Sequence, residues 1–282
     1  MTRSTMSPRF PKMLKPNNPS SMAHSAPSRV KNRAKAAGVR LFSVFFWLIV
    51  WHAGSLALGQ SIILVSPVTA AKTLFQMMGT AEFYQAVFGS LSRILTGFLA
   101  GVLLGTFLAA LSYWLPPAGA LLAPLMHAIK ATPVASFVIL ALIFISSRYL
   151  SILMGFLMVL PILYTNVLTG LRGTDPKLIE MAKVFKMKPM ARFKAIYLPA
   201  AYPGFLSSCA LALGMSWKAG IAAEVIGLPD QSIGEALYQA KIFFSTPEMY
   251  AWTLAIILMS VALEKAVMYA AKALSRKLDG GV

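Results

Sequence analysis

Several apolar runs in this chain approach the roughly 20 residues that a helix needs to cross the hydrocarbon of a bilayer. The first, LFSVFFWLIVWHAGSLALG at 41–59, holds no Lys, Arg, Asp or Glu. Backbone polar groups in lipid find no water to bond, so a spanning segment of this kind must be helical. The pattern therefore confines the chain to an all-α transmembrane architecture, a polytopic bundle. Composition agrees: 57% of residues are hydrophobic and 12% charged, and a soluble domain carries about 25% charged. Six spans are expected, at about 41–59, 88–113, 119–145, 149–171, 199–226 and 249–271. The third and fifth contain Pro and Gly, so bends are expected in them.

The net charge is +17, from 26 Lys and Arg against 9 Asp and Glu. Such a balance points first to nucleic acid. The charges cluster outside the apolar runs, however, as they do in membrane proteins that fix their orientation with them, so nucleic acid is rejected as a partner. With both termini inside, six spans leave 20 basic residues on the inner side and four outside, which sets a cytoplasmic amino and carboxyl terminus. Residues 1–40 hold nine basic residues and no acid, and are read as a disordered cytoplasmic tail. A transit peptide, or a true start at Met22, would share that composition. Segment 41–63 follows as the first transmembrane helix. Segment 64–87 is read as an outer-surface amphipathic stretch, with a short helix after Ser66-Pro67. The body of the bundle runs over 88–272, and 273–282 is a cytoplasmic tail.

Gly97, Gly101 and Gly105 recur every four residues in the second span. They form a stripe on one helix face where another helix can approach closely, within the bundle or at a subunit seam. No phosphate-binding G-x-x-x-x-G-K-[ST] loop is present, and His24, His52 and His127 show no metal-ligand spacing. No catalytic residue, cofactor or metal is assigned. Cys209 is a lone thiol in an apolar stretch and reads as packing. Ionised groups within spans are costly and face a partner or a wet path, which singles out Lys130, Lys218 and Glu224. Lys218 with Trp217, and Lys130, are the candidate lining of a path favouring an anionic solute; carbonyl capping, pairing with another helix and snorkelling are the structural alternatives.

The longest loop, RGTDPKLIEMAKVFKMKPMARFKAIYL at 172–198, reads as two short helices on the inner face. Thr174 or Asp175 caps the first, Pro176 opens it, and Pro189 opens the second, which ends near Tyr197. A folded loop of that length in a mostly buried chain points to a docking element for a soluble partner. Here the residues resemble a family. Glu180-Met181-Ala182, then Lys186, then Ile196-Tyr197-Leu198-Pro199 resemble the Glu-Ala-Ala loop of binding-protein-dependent ABC importer permeases of type I, with the MetI-like fold. Met181 stands where the family has Ala, and Lys186 where it has the Gly of the sharp turn. The run SWKAGIAAEVIG at 216–227 and Leu91-Ser92-Arg93-Ile94-Leu95-Thr96-Gly97-Phe98 resemble the sulfonate, taurine and nitrate subgroup. The resemblance implies an importer permease that moves a small solute with energy from a separate subunit. Its partners would be cytoplasmic ABC ATPase subunits that bind the ATP, an extracytoplasmic solute-binding protein and a second permease copy, in the lipid of the plasma membrane. It implies an ATPase contact at Glu180, Met181, Ala182, Lys183, Phe185 and Lys186. The alternative is an ion-coupled secondary transporter, which would show internal repeats and interrupted helices.

Overall fold

A computed structural model describes residues 26–60 and 62–279; for 26–37, 40–41 and 270–279 it gives the backbone course alone. The chain divides into two compact units, residues 1–54 and 55–282. Every regular element among the described residues is helical. Helix α1, Ala26–Leu58, begins inside the basic segment, which corrects the expectation of an irregular tail for residues 26–40. Ala, Lys and Arg dominate there, and all three favour helix. Residues 1–25, the remainder of that expectation, lie outside the described residues.

Within the larger unit, Ser66 caps α2, Pro67–Met77, by accepting from the Thr69 amide at 3.1 Å. Helix α3, Ala81–Trp114, starts seven residues before the expected second span, because Thr80 supplies a cap at its amino end. The segment 64–87, read as amphipathic, thus holds a short helix followed by the first turns of α3. Helices α4, Pro116–Ala131, and α5, Val134–Ala141, together replace the expected third span. They meet at 100°. The cause is Pro133, whose ring pushes Thr132 out of the helical region to ψ 125°. Helix α6, Ser147–Arg172, follows, then the loop helices α7, Pro176–Val184, and α8, Pro189–Arg192. A π-turn, Phe193–Tyr197, leads without a break into α9, Leu198–Gly227. The expected stop at Tyr197 therefore does not occur, and Pro199 is carried as the second residue of α9, directly after the π-turn. Helices α10, Ile233–Ile242, and α11, Thr246–Asp279, complete the described residues, and α11 runs into the segment read as the carboxyl-terminal tail.

Among the described residues, four helices are long and apolar enough to span a membrane, five when the bent α4–α5 pair is taken as one. The packing supports taking it so. Met126 of α4 lies in a cluster with Leu163, Leu168 and Leu171 at one end of α6, while Val138 and Ala141 of α5 pack with Leu150 and Met154 at the other. The apolar part of α1, Phe42–Leu58, is shorter than these. By length and composition the expected six spans are thus four or five candidate crossings, with Phe42–Leu58 of α1 a shorter apolar helix at the lower limit of spanning length.

Helices α3, α6 and α9 form the core of the larger unit. A Cβ on Gly97 would collide with the Ile152 carbonyl oxygen, one on Gly101 would lie 2.7 Å from Val159 Cβ, and one on Gly105 would lie 2.9 Å from the Leu160 oxygen. The stripe on α3 is therefore pressed against α6 of the same chain. A Cβ on Gly170 of α6 would come 2.9 Å from the Ala201 Cα of α9. Against the other side, α2, α10 and α11 pack on α3 and α9 around Leu74, Phe83, Trp217, Ile233 and Trp252, with the Phe83 and Trp252 rings stacked at 5.2 Å.

Candidate functional site

Local sequence builds the loop that α6 hands to α9. The Thr174 hydroxyl donates to the Leu171 carbonyl at 2.8 Å and closes α6. Asp175 Oδ1 then accepts from the Lys177 amide at 2.9 Å and opens α7, with Pro176 as its first residue. At the far end, the Lys186 amide bonds the Lys183 carbonyl at 3.1 Å and the Met187 amide bonds the Ala182 carbonyl at 3.0 Å. This pair of bonds is the Schellman helix stop, which needs a left-handed residue after the cap. Lys186 fills that position with φ of 46°. The turn that the family makes with Gly is thus made here with Lys.

Glu180, Met181, Lys183, Phe185 and Lys186 are all exposed. Ala182 is not: at 1% exposure it is the only buried residue of α7. Of the six residues that the resemblance places at the ATPase contact, Ala182 is thus the one covered by this chain. Among the exposed side chains, Met181, Val184 and Phe185 of α7 and Met190 of α8 are apolar; Val184 and Phe185 are 78% and 73% exposed.

One residue that sequence reasoning passed over connects this loop to the bundle. Tyr197, 3% exposed at the end of the π-turn, packs its ring on Tyr113 and Trp114 of α3 at 5.6 and 5.3 Å. Its hydroxyl accepts from Arg192 at 3.1 Å, and the same guanidinium lies over its ring. The signal was an aromatic ring with a polar tip at a helix junction, which needs a partner once buried.

Of the candidate path residues, Lys218 is exposed on α9 in a row with Leu211, Met215 and Ala222. Trp217 is 1% exposed, and its indole N–H donates to the Ile256 carbonyl of α11 at 3.1 Å. It therefore packs α9 on α11 and does not line a path beside Lys218. Lys130, exposed on α4, donates to Thr165 Oγ1 of α6 at 2.8 Å. Lys130 and Lys218 sit on different helices, with no contact between them among the described bonds.

Glu224 answers its own question. Fully buried on α9, it accepts from Ser90 Oγ at 2.5 Å, Ser151 Oγ at 3.0 Å, Arg93 Nε at 3.3 Å and the Gly234 amide at 3.4 Å. Four elements, α3, α6, α9 and α10, meet on this one carboxylate. Arg93, counted from sequence as an outer-surface cation, is its counter-ion.

Comparison with known proteins places these features. Residues 101–280 match the family described as the binding-protein-dependent transport system inner membrane component. The putative aliphatic sulfonates transport permease protein of Bacillus subtilis is 28% identical over 209 residues, covering 72% of this chain and 74% of the relative. The bicarbonate transport system permease protein of Synechococcus elongatus is 26% identical over 159 residues, covering 56% of this chain and 57% of the relative. The crystal structure of an amino acid ABC transporter shares the fold, with a TM-score of 0.52 at 17% identity over 70% of this chain and 93% of the other. Such permeases are transport components and not enzymes, work with an ATPase and a binding protein, and lie in the inner membrane as multi-pass proteins. The chain belongs to the binding-protein-dependent transport system inner membrane component family, the membrane-embedded permease subunits of ABC transporters.

Proposed function

We propose that this chain is the translocating subunit of an importer for a small anion of the sulfonate, taurine or nitrate kind, and that α7 and α8 are where a cytoplasmic ATPase grips it. The single observation that carries the coupling role is the outward apolar surface of Met181, Val184, Phe185 and Met190 on an otherwise charged loop. Exposed apolar patches rimmed by charge mark sites of protein association. Glu180, Lys183 and Lys186 form the charged rim, which steers docking and fixes orientation more than it adds affinity. Nucleotide is bound by the partner, and a solute-binding protein delivers cargo from outside. Both termini face the cytoplasm.

The anion preference rests on the cations within spans and on likeness to permeases named for sulfonates and bicarbonate. Two copies of this chain facing each other would cover the exposed Lys218 row, since a charged side chain in that position does not face lipid.

Cross-linking tests the coupling role. A photoreactive side chain at Phe185 should capture an ATPase subunit, and Phe185→Ala should lower ATPase co-purification roughly tenfold, as loss of an interface anchor does. Retention of the ATPase at full yield by the alanine variant, with no cross-link from position 185, would overturn it.

A further inference from the structure

Helices α4 and α6 line an open cavity of about 190 Å³, sized for a small solute and not a drug-like one. Its lining includes His127, Lys130 and Arg172 and no Asp or Glu. His127 and Lys130, three apart, share a face of α4. Thr165, Thr169 and Arg172 follow one another on a single face of α6, and all three are exposed. A polar row of this kind beside a lysine does not face hydrocarbon.

The hydrogen-bond inventory is lopsided. Thr165 Oγ1 donates its proton to the Pro161 carbonyl at 2.7 Å, and Thr169 Oγ1 donates to the Thr165 carbonyl at 2.8 Å. Both hydroxyls are thereby turned into acceptors, and Thr165 uses that capacity to hold the Lys130 ammonium at 2.8 Å. The ammonium keeps two further donors, and the Arg172 guanidinium presents a planar fork suited to paired oxygens. The cavity is rich in charged donors, and its threonines steady the lysine without neutralising it.

We propose that this cavity is an oxyanion site, in which Lys130 and Arg172 hold the anionic group of a small solute such as an alkylsulfonate, with His127 as the third polar partner. The assignment rests on the importer reading above and deepens it, by naming the residues that favour a negative solute. A phospholipid phosphate offers the same oxyanion chemistry, so the test must separate the two sources.

The full chain carrying Cys209→Ala and Ala123→Cys places one reactive thiol on the cavity wall. In phosphatidylcholine nanodiscs, labelling by an anionic sulfonatoethyl methanethiosulfonate is compared with labelling by its cationic trimethylammonium counterpart. The anionic reagent should react faster by roughly tenfold, from local enrichment in a charged cleft. Lys130→Gln with Arg172→Gln should bring the ratio close to one. Lys130→Arg with Arg172→Lys, which keeps the charge, should preserve the ratio and controls for folding. Protection by methanesulfonate identifies a free solute as the occupant, and protection by added phosphatidylglycerol alone identifies a lipid head group. An anionic-to-cationic ratio near one in the parent, or a ratio unchanged by the glutamine pair, would overturn the oxyanion site. No ATPase is present in this assay, so its failure leaves the coupling role of α7 and α8 standing.

Discussion

Glu224 ties α3, α6 and α10 to α9 through one carboxylate. Its carboxylate is fully buried, and Arg93, its counter-ion, is only 13% exposed. Removing one partner of such a pair leaves the other charge without compensation and costs about 3–5 kcal/mol. Glu224→Ala should therefore lower the unfolding midpoint in detergent sharply, and Glu224→Gln, which keeps amide contacts to the two serines, should lower it less. Lys186 makes the opposite case. A side chain in the left-handed region costs about 1–2 kcal/mol, which Gly avoids. Lys186→Gly should slow amide hydrogen exchange at Met187, whose bond to the Ala182 carbonyl closes the turn. Sequence reasoning singled out Lys186 because a specific backbone geometry depends on the residue there. It could not pair Glu224 with Arg93, since 131 residues separate them and only packing brings them together.

At the scale of elements, the glycine stripe of α3 and the break at Pro133 were legible, because both follow from local chemistry, whereas the bend expected in the fifth span is absent and α9 runs through Pro203. Gly97→Ala should destabilise the α3–α6 contact by about 1–3 kcal/mol, since its Cβ meets a backbone carbonyl that cannot turn aside. Thermal unfolding in detergent checks it, with Gly214→Ala as control, because a Cβ there meets nothing within 4 Å. Element ends were less legible. Helix α3 starts early because Thr80 caps it, and α9 absorbs the return limb of the loop because Pro199 and Pro203 are tolerated in its opening turns. The orientation of Ala182 and Trp217 depended on which helix face meets the bundle, and α9 has apolar residues on nearly every side. With so little contrast between faces, periodicity does not say which one is buried.

For the whole molecule, the apolar content settled the membrane class, and the charge asymmetry carries the orientation argument. That orientation is open to direct test in intact cells. A membrane-impermeant maleimide should label Phe244→Cys, in the exposed turn between α10 and α11, at least roughly tenfold more than Phe185→Cys in the α7 turn. The reverse pattern would invert the molecule. The count of crossings was harder to read than their presence, because the apolar part of α1, Phe42–Leu58, lies at the short limit of spanning length.

The glycines of α3 and α6 bring main chain so near to main chain that neither helix can slip past the other without collision. The Tyr197 ring fastens the loop to the end of that same block. A push delivered at the loop cannot be absorbed by sliding between these helices. On the coupling role proposed above, such a push would tilt them as one stiff plate, with a throw at the far end that grows with the length of the lever.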